Sequence, residues 1–401
     1  MNLLYANDRL GTYPDSWYAA TATPLDPLQE LRGQQKADVC VVGGGFTGLS
    51  TALHLAQNGV DVALLEAHRV GFGASGRNGG QVGSGHRKDQ DALEKAYGVE
   101  DARKFWQVGE DAKALIKSLI KAHDIDAAWR DGVAHATHHA SEAREEHDYV
   151  EKLNRDYGYA QAEALDLDAM RALIGSEVFK GGSMDWGAGH IHPLRFAFGL
   201  ARAAIDAGVR IFERSEVHDL RGGVVRTGKG QIKADHVVMA CNGYHGNLNP
   251  KVAARVMPIN NFIIATEPLG DRAAQVLAQD IAVADSKFVV NYWRLSEDKR
   301  LLFGGTETYG YRFPKDIAGA VRKPMLSIYP QLEDVKIDYG WGGTLAITPS
   351  RMPDFSRPEP TLWSASGYSG HGVALATYAG KMMSDAILGD ATEFDLMGKA
   401  R

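Results

Sequence analysis

The chain has 401 residues, 44% hydrophobic and 23% charged, enough to bury a large core and to form two or three domain-sized units. Lys and Arg total 44 against 50 Asp and Glu, and a net charge of -6 excludes general attraction to nucleic-acid backbones or anionic membranes. No window reaches the roughly 18 apolar residues that span a bilayer, and MNLLYANDRLGTYPDSWY lacks a basic segment followed by an apolar one. A soluble, cytoplasmic protein without a nucleic-acid partner is expected.

Residues 37 to 66 change period partway. ADVCVVG reads as a buried strand, GGFTGLSTALHLAQNG as a glycine turn entering a helix, and VDVALLE as a second strand, a βαβ unit of about 30 residues. Phe105, Val108, Ala112, Leu115 and Leu119 recur at helical spacing, which predicts one or two amphipathic helices over 90–122. Residues 142–173 also read as helical. An Ala-rich helix over 196–207 ends at Gly208 and leads through VRIF, SEVHDL and a GG turn to the strand ADHVVMA. Residues 256–267 and 287–306 alternate as antiparallel strands do. The chain closes on the loop SASGYSGHG and the helix VALATYAGKMMSDAIL. Cys40 and Cys241 sit inside apolar runs and read as structural.

Gly43-x-Gly45-x-x-Gly48 follows a strand and opens a helix, and Glu66 ends the next strand. Gly43 permits the tight turn, Gly45 lets backbone approach a pyrophosphate, and Gly48 lets helix pack on strand; the helix start supplies unpaired N–H groups and positive potential. An acid at Glu66 suits a ribose and disfavours a 2′-phosphate. The fingerprint by itself leaves FAD and NAD both open. Seven residues on, GASGRNGGQ carries so little side chain that its backbone can lie flat against a ring or diphosphate, with Arg77 offsetting charge.

With that loop the chain resembles the D-amino acid oxidase (DAO) superfamily of FAD enzymes, and GHIHPLRFAFGLARAAIDAGVRIFE, HVVMACNGYHG, RLLFGG and GYSGHGVALATYAGKMMSDAI extend the resemblance over nearly its whole length. Within the superfamily it is most similar to the γ-glutamylputrescine oxidoreductases, through SWYAATA, GFGASGRNGGQ and GYSGHGV. The resemblance implies an α/β (mixed α+β) fold, with a Rossmann-like FAD-binding domain (1–89, 190–250, 340–401) interleaved with an antiparallel-sheet substrate domain (90–189, 251–339). It implies oxidation of a C–N bond in a small amine to an imine, hydrolysis to aldehyde and amine, and reoxidation by O₂ to H₂O₂. The implied cofactor contacts are Gly43, Gly45, Phe46, Thr47, Gly48, Glu66 and Ala67; Gly73, Ala74, Ser75, Arg77, Asn78, Gly79, Gly80 and Gln81; Val217 and Gly243; and Gly370, His371 and Gly372. With no cysteine after Cys241 and no histidine in ASGRNGG, noncovalent FAD is expected.

Two further roles are expectations of chemistry. GYSGHG opens a helix whose N–H groups, with His371, can stabilise charge developing on a reduced flavin, and Arg77 is a second candidate for that role. Aromatic rings hold alkyl-ammonium ions, which makes Tyr292, Trp293, Trp341 and Tyr368 candidate substrate residues, each also a candidate core ring. Arg351 in TPSRMPDF suits either a substrate carboxylate or an ion pair with a neighbouring acid. His190 with His192, and His135 with His138 and His139, lack the acids or cysteines to complete a metal site, so no metal is expected. The competing readings are an FAD amino-acid or N-methyl amino-acid oxidase or dehydrogenase passing electrons to a quinone or carrier, an NAD dehydrogenase, which needs neither GASGRNGGQ nor GYSGHG, and a noncatalytic FAD scaffold.

Overall fold

The computed structural model describes residues 2–400. The run ADVCVV forms the inner half of strand Gly33–Val42, whose last four residues are buried on both faces, as expected of a central parallel strand. Its sheet runs in the order Asp354–Glu359, Leu362–Ser366, Gly230–Met239, Gly33–Val42, Val62–Leu65, Arg210–Phe212, with parallel pairing along this path except at the edge strand Asp354–Glu359, and the hairpin Val217–Arg221 with Val224–Thr227 adds antiparallel strands beside Gly230–Met239. Helix Phe46–Gln57 makes the crossover and packs against helices Pro193–Asp206 and Gly372–Leu388. The approach to the latter is close: a Cβ on Gly380 would stand 2.6 Å from the Thr47 carbonyl oxygen.

The second sheet has nine strands, ordered Ile337–Ile347, Met257–Thr266, Leu301–Thr308, Tyr292–Leu295, Ala282–Asp285, Arg130–Ala136, Gly182–His190, Gln81–Val82, with Ala162–Leu165 beside Gly182–His190. All its pairs are antiparallel except Ala282–Asp285 with Arg130–Ala136. Its outer face packs on helices Leu167–Leu173 and Ile317–Ile328 to form a separate core. Its inner face is turned to the loop that follows Gly73. Gln81–Val82 and Ile337–Ile347 belong to this sheet, so the chain passes between layers inside the segments 1–89 and 340–401.

The structure corrects the helical reading of 142–173. Helix Ala140–Tyr157 stops at Gly158, which takes φ 64, and the chain then gives strand Ala162–Leu165 before the short helix Leu167–Leu173. That four-residue strand has too little local pattern to be read; its pairing with Gly182–Asp185 makes it. The amphipathic stretch over 90–122 is helix Gln90–Ala122, broken at Gly98, where φ is 81 and ψ 159.

Candidate active site

The glycine turn is built by contacts that exclude side chains. A Cβ on Gly48 would stand 1.9 Å from the Gly43 carbonyl oxygen, and one on Gly43, at φ 113, would stand 2.6 Å from the Ala240 carbonyl oxygen. Helix Phe46–Gln57 has Gly45 as its N-cap with no side-chain cap bond, so the N–H groups of Thr47 and Gly48 at its first turn are available to an anion. Ser75 Oγ accepts from the Phe46 N–H at 2.9 Å, and Glu66 accepts from the N–H groups of Gly44 (2.7 Å) and His68 (2.8 Å). Burial raises the Glu66 carboxyl to about 7, against the pull of those two N–H donors. A turn in which glycines bring backbone N–H groups close to a helix start, beside the Glu66 carboxylate, fits an adenine dinucleotide.

The loop after Gly73 is fastened at every turn. Asn78 Nδ2 donates to the carbonyls of Ala74 and Ser75, and its Oδ1 accepts from Gly80 N–H at 2.7 Å. Gly79 lies under the Tyr292 ring, where a Cβ would come within 2.7 Å, and Gly80, at φ 79, would drive a Cβ to 2.1 Å from the Ile191 carbonyl oxygen. Gln81 Nε2 donates to the Val283 carbonyl. Gly73 lies over Tyr244, and Gly243, in the short turn Asn242–Tyr244, faces the Leu345 carbonyl. Val217 is buried at the start of strand Val217–Arg221, and Ala67 follows Glu66.

Arg77 is not a free charge. Its Nε donates to the Phe72 carbonyl (2.7 Å) and Nη1 to that of Gly342 (3.1 Å), Nη2 pairs with Asp8 at 3.1 Å, and the guanidinium lies over the Phe72 ring. At 3% exposure it clamps the loop to the N-terminal segment and the second sheet. That fixes Arg77 as a structural tie in place of the catalytic or phosphate-facing cation expected.

The second glycine-rich loop returns to the first. His371 is the N-cap of helix Gly372–Leu388 without capping it through its side chain, preceded by Ser369 (φ 53) and Gly370 (φ 85). Its ring closes on Gly83, where a Cβ would stand 2.7 Å from Cε1, and its buried Nε2 has no partner among the described residues. Burial, with the nearby Arg87 charge adding to it, holds the ring at about 3, so it is neutral near pH 7. Gly372 packs on Tyr368.

The four aromatic candidates separate by strand alternation. Tyr292 faces the loop, its Oη donating to Asn261 Oδ1 at 2.5 Å. Trp293, its neighbour, points the other way and stacks between Phe179 and Phe303 in the outer core at 1% exposure, so it is a core ring. Trp341 is also buried; its Nε1 donates to the Arg77 carbonyl at 3.1 Å, which supports the loop from below. Tyr368 is buried with its hydroxyl 2.8 Å from Thr47 Oγ1, tying the C-terminal loop to the first helix. The histidine groups are scattered: His190 ends a strand, His192 caps helix Pro193–Asp206, His138 pairs with Asp285 at 2.9 Å, and His139 caps helix Ala140–Tyr157. His190 and His192 therefore do not share a strand face.

Residues 38–386 match the family described as FAD dependent oxidoreductase, the DAO family. The chain belongs to it. This DAO-family member is 42% identical to the probable oxidoreductase OrdL of Rhizobium meliloti, over 95% of this chain and 90% of that protein. It is 41% identical to γ-glutamylputrescine oxidoreductase of Escherichia coli, over 96% and 91%. The fold matches glycine oxidase from Geobacillus kaustophilus with a TM-score of 0.76 at 23% identity, covering 90% of this chain and 97% of that one. The protein is thus an FAD-dependent oxidoreductase of a family that acts on C–N groups.

Several contacts around this DAO-family site lie beyond the sequence reading. Arg294, buried, donates from Nε to the Gly79 carbonyl (3.0 Å) and from Nη2 to the Ile191 carbonyl (3.2 Å). Its signal was there in YWRL, since a charge two residues from Tyr292 shares that ring's face. Asp8 and Asn261 had no local signal. Beneath Ser84, Lys113 Nζ bonds Ser84 Oγ (2.5 Å) and Tyr159 Oη (2.9 Å) and pairs with Glu110 (2.8 Å), while Ser84 and Tyr159 each donate to Asp185 at 2.5 Å. This buried network braces the segment that carries Gly83 against His371. No helix is long and apolar enough to cross a membrane among the described residues.

Proposed function

We propose that this oxidoreductase oxidises a C–N bond of γ-glutamylputrescine or a closely related polyamine-derived amine. The observation that carries the reading is 41% identity to γ-glutamylputrescine oxidoreductase over nearly the full length of both chains. In the overall reaction the amine loses two electrons and two protons to become an imine, water splits the imine into aldehyde and amine, and O₂ takes the electrons and protons to become H₂O₂. When bound, FAD would supply the two-electron redox chemistry between the amine and the acceptor.

In this reading Gly43, Gly45, Phe46, Thr47 and Gly48 hold the pyrophosphate, Glu66 the ribose, Ala67, Val217 and Gly243 the adenosine end, and Gly73 to Gln81 with Gly370, His371 and Gly372 the flavin. Neutral His371 offers its unpartnered Nε2 as a donor, and Tyr292 is the aromatic wall of the amine pocket. Noncovalent attachment is supported by Cys241, half-buried beside the Val42 carbonyl, where desolvation pushes its thiol up to about 12. Two unpaired cysteines accord with a cytoplasmic address. We also take the parallel sheet with its helices as the FAD-binding part and the antiparallel sheet as the substrate-binding part.

The test is H₂O₂ formation in air by the purified protein with γ-glutamylputrescine, putrescine, spermidine, sarcosine, glycine and D-amino acids. Peroxide with the glutamylated or free polyamines is expected. Anaerobic bleaching of the flavin without peroxide would make the protein a dehydrogenase, and turnover confined to glycine, sarcosine or another amino acid would favour the alternative that the glycine oxidase fold suggests. Yellow colour staying in solution after acid precipitation would mark the flavin as noncovalent.

A further inference from the structure

The chain from Asn2 to Asp15 holds no buried residue, while Ser16, Trp17 and Tyr18 directly after it are buried. Its attachment is mostly polar, and the bonds land on the loops around the cofactor turn. Asn2 Nδ2 (2.8 Å) and the Tyr5 hydroxyl (2.5 Å) donate to the two carboxylate oxygens of Glu216, next to Val217. His68, two residues after Glu66, donates from Nε2 to the Leu4 carbonyl at 2.8 Å and accepts at Nδ1 from the Gly11 N–H at 3.3 Å, and its ring meets that of Tyr5 at 5.3 Å between centroids. Asp8 pairs with Arg77 at 3.1 Å. Asn7 bonds the backbone of Tyr311 (2.9 Å) and Phe313 (2.7 Å), in the segment that follows strand Leu301–Thr308 of the second sheet.

These contacts form one strap along the loop from Glu66 to Gln81. The His68 ring stacks on Phe72 at 3.7 Å and 5°, and Phe72 in turn lies 4.4 Å under the Arg77 guanidinium, so Tyr5 and Asp8 close the two ends of a continuous ladder. His68 joins the strap to the cofactor turn, with its ring held by residues 4, 5 and 11 while its N–H donates to Glu66 at 2.8 Å. A segment held by exposed hydrogen bonds, with no buried side chain of its own, opens locally while the rest of the fold stays intact. Every partner of the strap is a protein group. A bond made equally with and without a ligand cancels from the ligand's affinity, because it distinguishes neither state, but it still sets how often the loop it fastens comes free.

We infer that residues 2–11 are a latch on the FAD site: they hold the loop from Glu66 to Gln81 shut, and FAD enters or leaves when the latch releases and that loop opens. The inference rests on FAD lying against this loop, as proposed above, and adds what controls its exchange, whatever the amine.

The test is FAD exchange in the full-length protein, with release followed by the flavin fluorescence that appears on diluting the holoprotein and association by its loss when FAD is added to flavin-depleted protein. Tyr5→Phe, which loses the bond to Glu216, and Asn7→Ala, which loses both backbone bonds, should each raise the release rate about fivefold to tenfold, and the double variant more than either. The association rate should rise by the same factor, so that Kd stays within about twofold of the parent value. Hydrogen exchange over residues 66–81 of the holoprotein should quicken alongside, with the melting temperature little changed because neither side chain is buried. Release that quickens alone, with Kd weakened to match, would make the segment a support of the bound cofactor and overturn the latch. Unchanged exchange rates in the double variant would overturn it as well. Full FAD occupancy in Gly45→Val would instead sink the cofactor placement on which the latch rests, a result independent of how fast FAD exchanges in the strap variants.

Discussion

Gly45 faces Ser75, whose hydroxyl oxygen would lie 2.8 Å from a Cβ built on that glycine, and Gly48 faces the Gly43 carbonyl oxygen at 1.9 Å. The two differ in what a side chain would do. At Gly45 a side chain meets a hydroxyl that can rotate away and fills the space above the helix start, so Gly45→Val is expected to fold and to lose flavin occupancy, read as visible absorbance per mole of protein. At Gly48 it meets backbone, so Gly48→Ala should cost stability as well, by about 2 kcal/mol or more. Full flavin occupancy in Gly45→Val would displace the pyrophosphate site from this turn. Glycines at required spacing are legible in sequence because nothing but glycine tolerates such contacts. Arg77 was legible as important and misread as to role, since its partners Asp8 and Gly342 are distant in the chain and only folding brings them to it.

At the scale of elements, the loop Gly73–Gln81 is held between the helix start below and the strand Tyr292–Leu295 above, and helix Gln90–Ala122 reaches the segment just after it, at Ser84, through Lys113. Lys113 is 4% exposed, and desolvation raises the Glu110 carboxyl in spite of the lysine beside it. Removing one partner of a buried ionic group leaves the others unpaired. Lys113→Met is therefore expected to destabilise the protein by about 3 kcal/mol, an order-of-magnitude figure, and to loosen the Gly83–His371 contact, seen as a lower melting temperature and a shifted flavin spectrum. An unchanged melting temperature would mean that the network contributes little. Helical period revealed helix Gln90–Ala122 because its pattern is local and long. Strands Arg130–Ala136 and Gly182–His190 escaped because their residues become strand only on pairing with each other.

Across the whole molecule, several histidines are buried and neutral. Burial pushes His86 and His245 down to about 4 and His192 to about 2, and neither ring nitrogen of His245 has a partner among the described residues. Each has a folded pKa below its ordinary 6.5, so the unfolded chain binds more protons below pH 6.5 and folding stability falls as pH drops through that value. Each group contributes a slope of at most about 1.4 kcal/mol per pH unit. Glu66, raised from 4.5 to about 7, acts with the opposite sign between those values, and the histidines outnumber it. The melting temperature should therefore fall from pH 7 to pH 5, less steeply in His245→Asn. A flat profile would contradict the neutral, buried state of these rings.

What the chain determined by itself was whatever depends on near neighbours: the βαβ unit, the glycine turn with Glu66, the glycine-rich run Gly73–Gln81, the C-terminal loop and helix, and so the cofactor class. Tertiary structure decided which side chains face one another. Tyr292 meets the loop Gly73–Gln81 and Trp293 the core because adjacent strand residues point to opposite faces, and only the sheet's packing says which face is which. Asp8 and the Gly342 carbonyl, far apart in sequence, meet at Arg77 only because the sheet and the N-terminal segment close on that loop, and no local pattern encodes a contact whose partners are so distant along the chain.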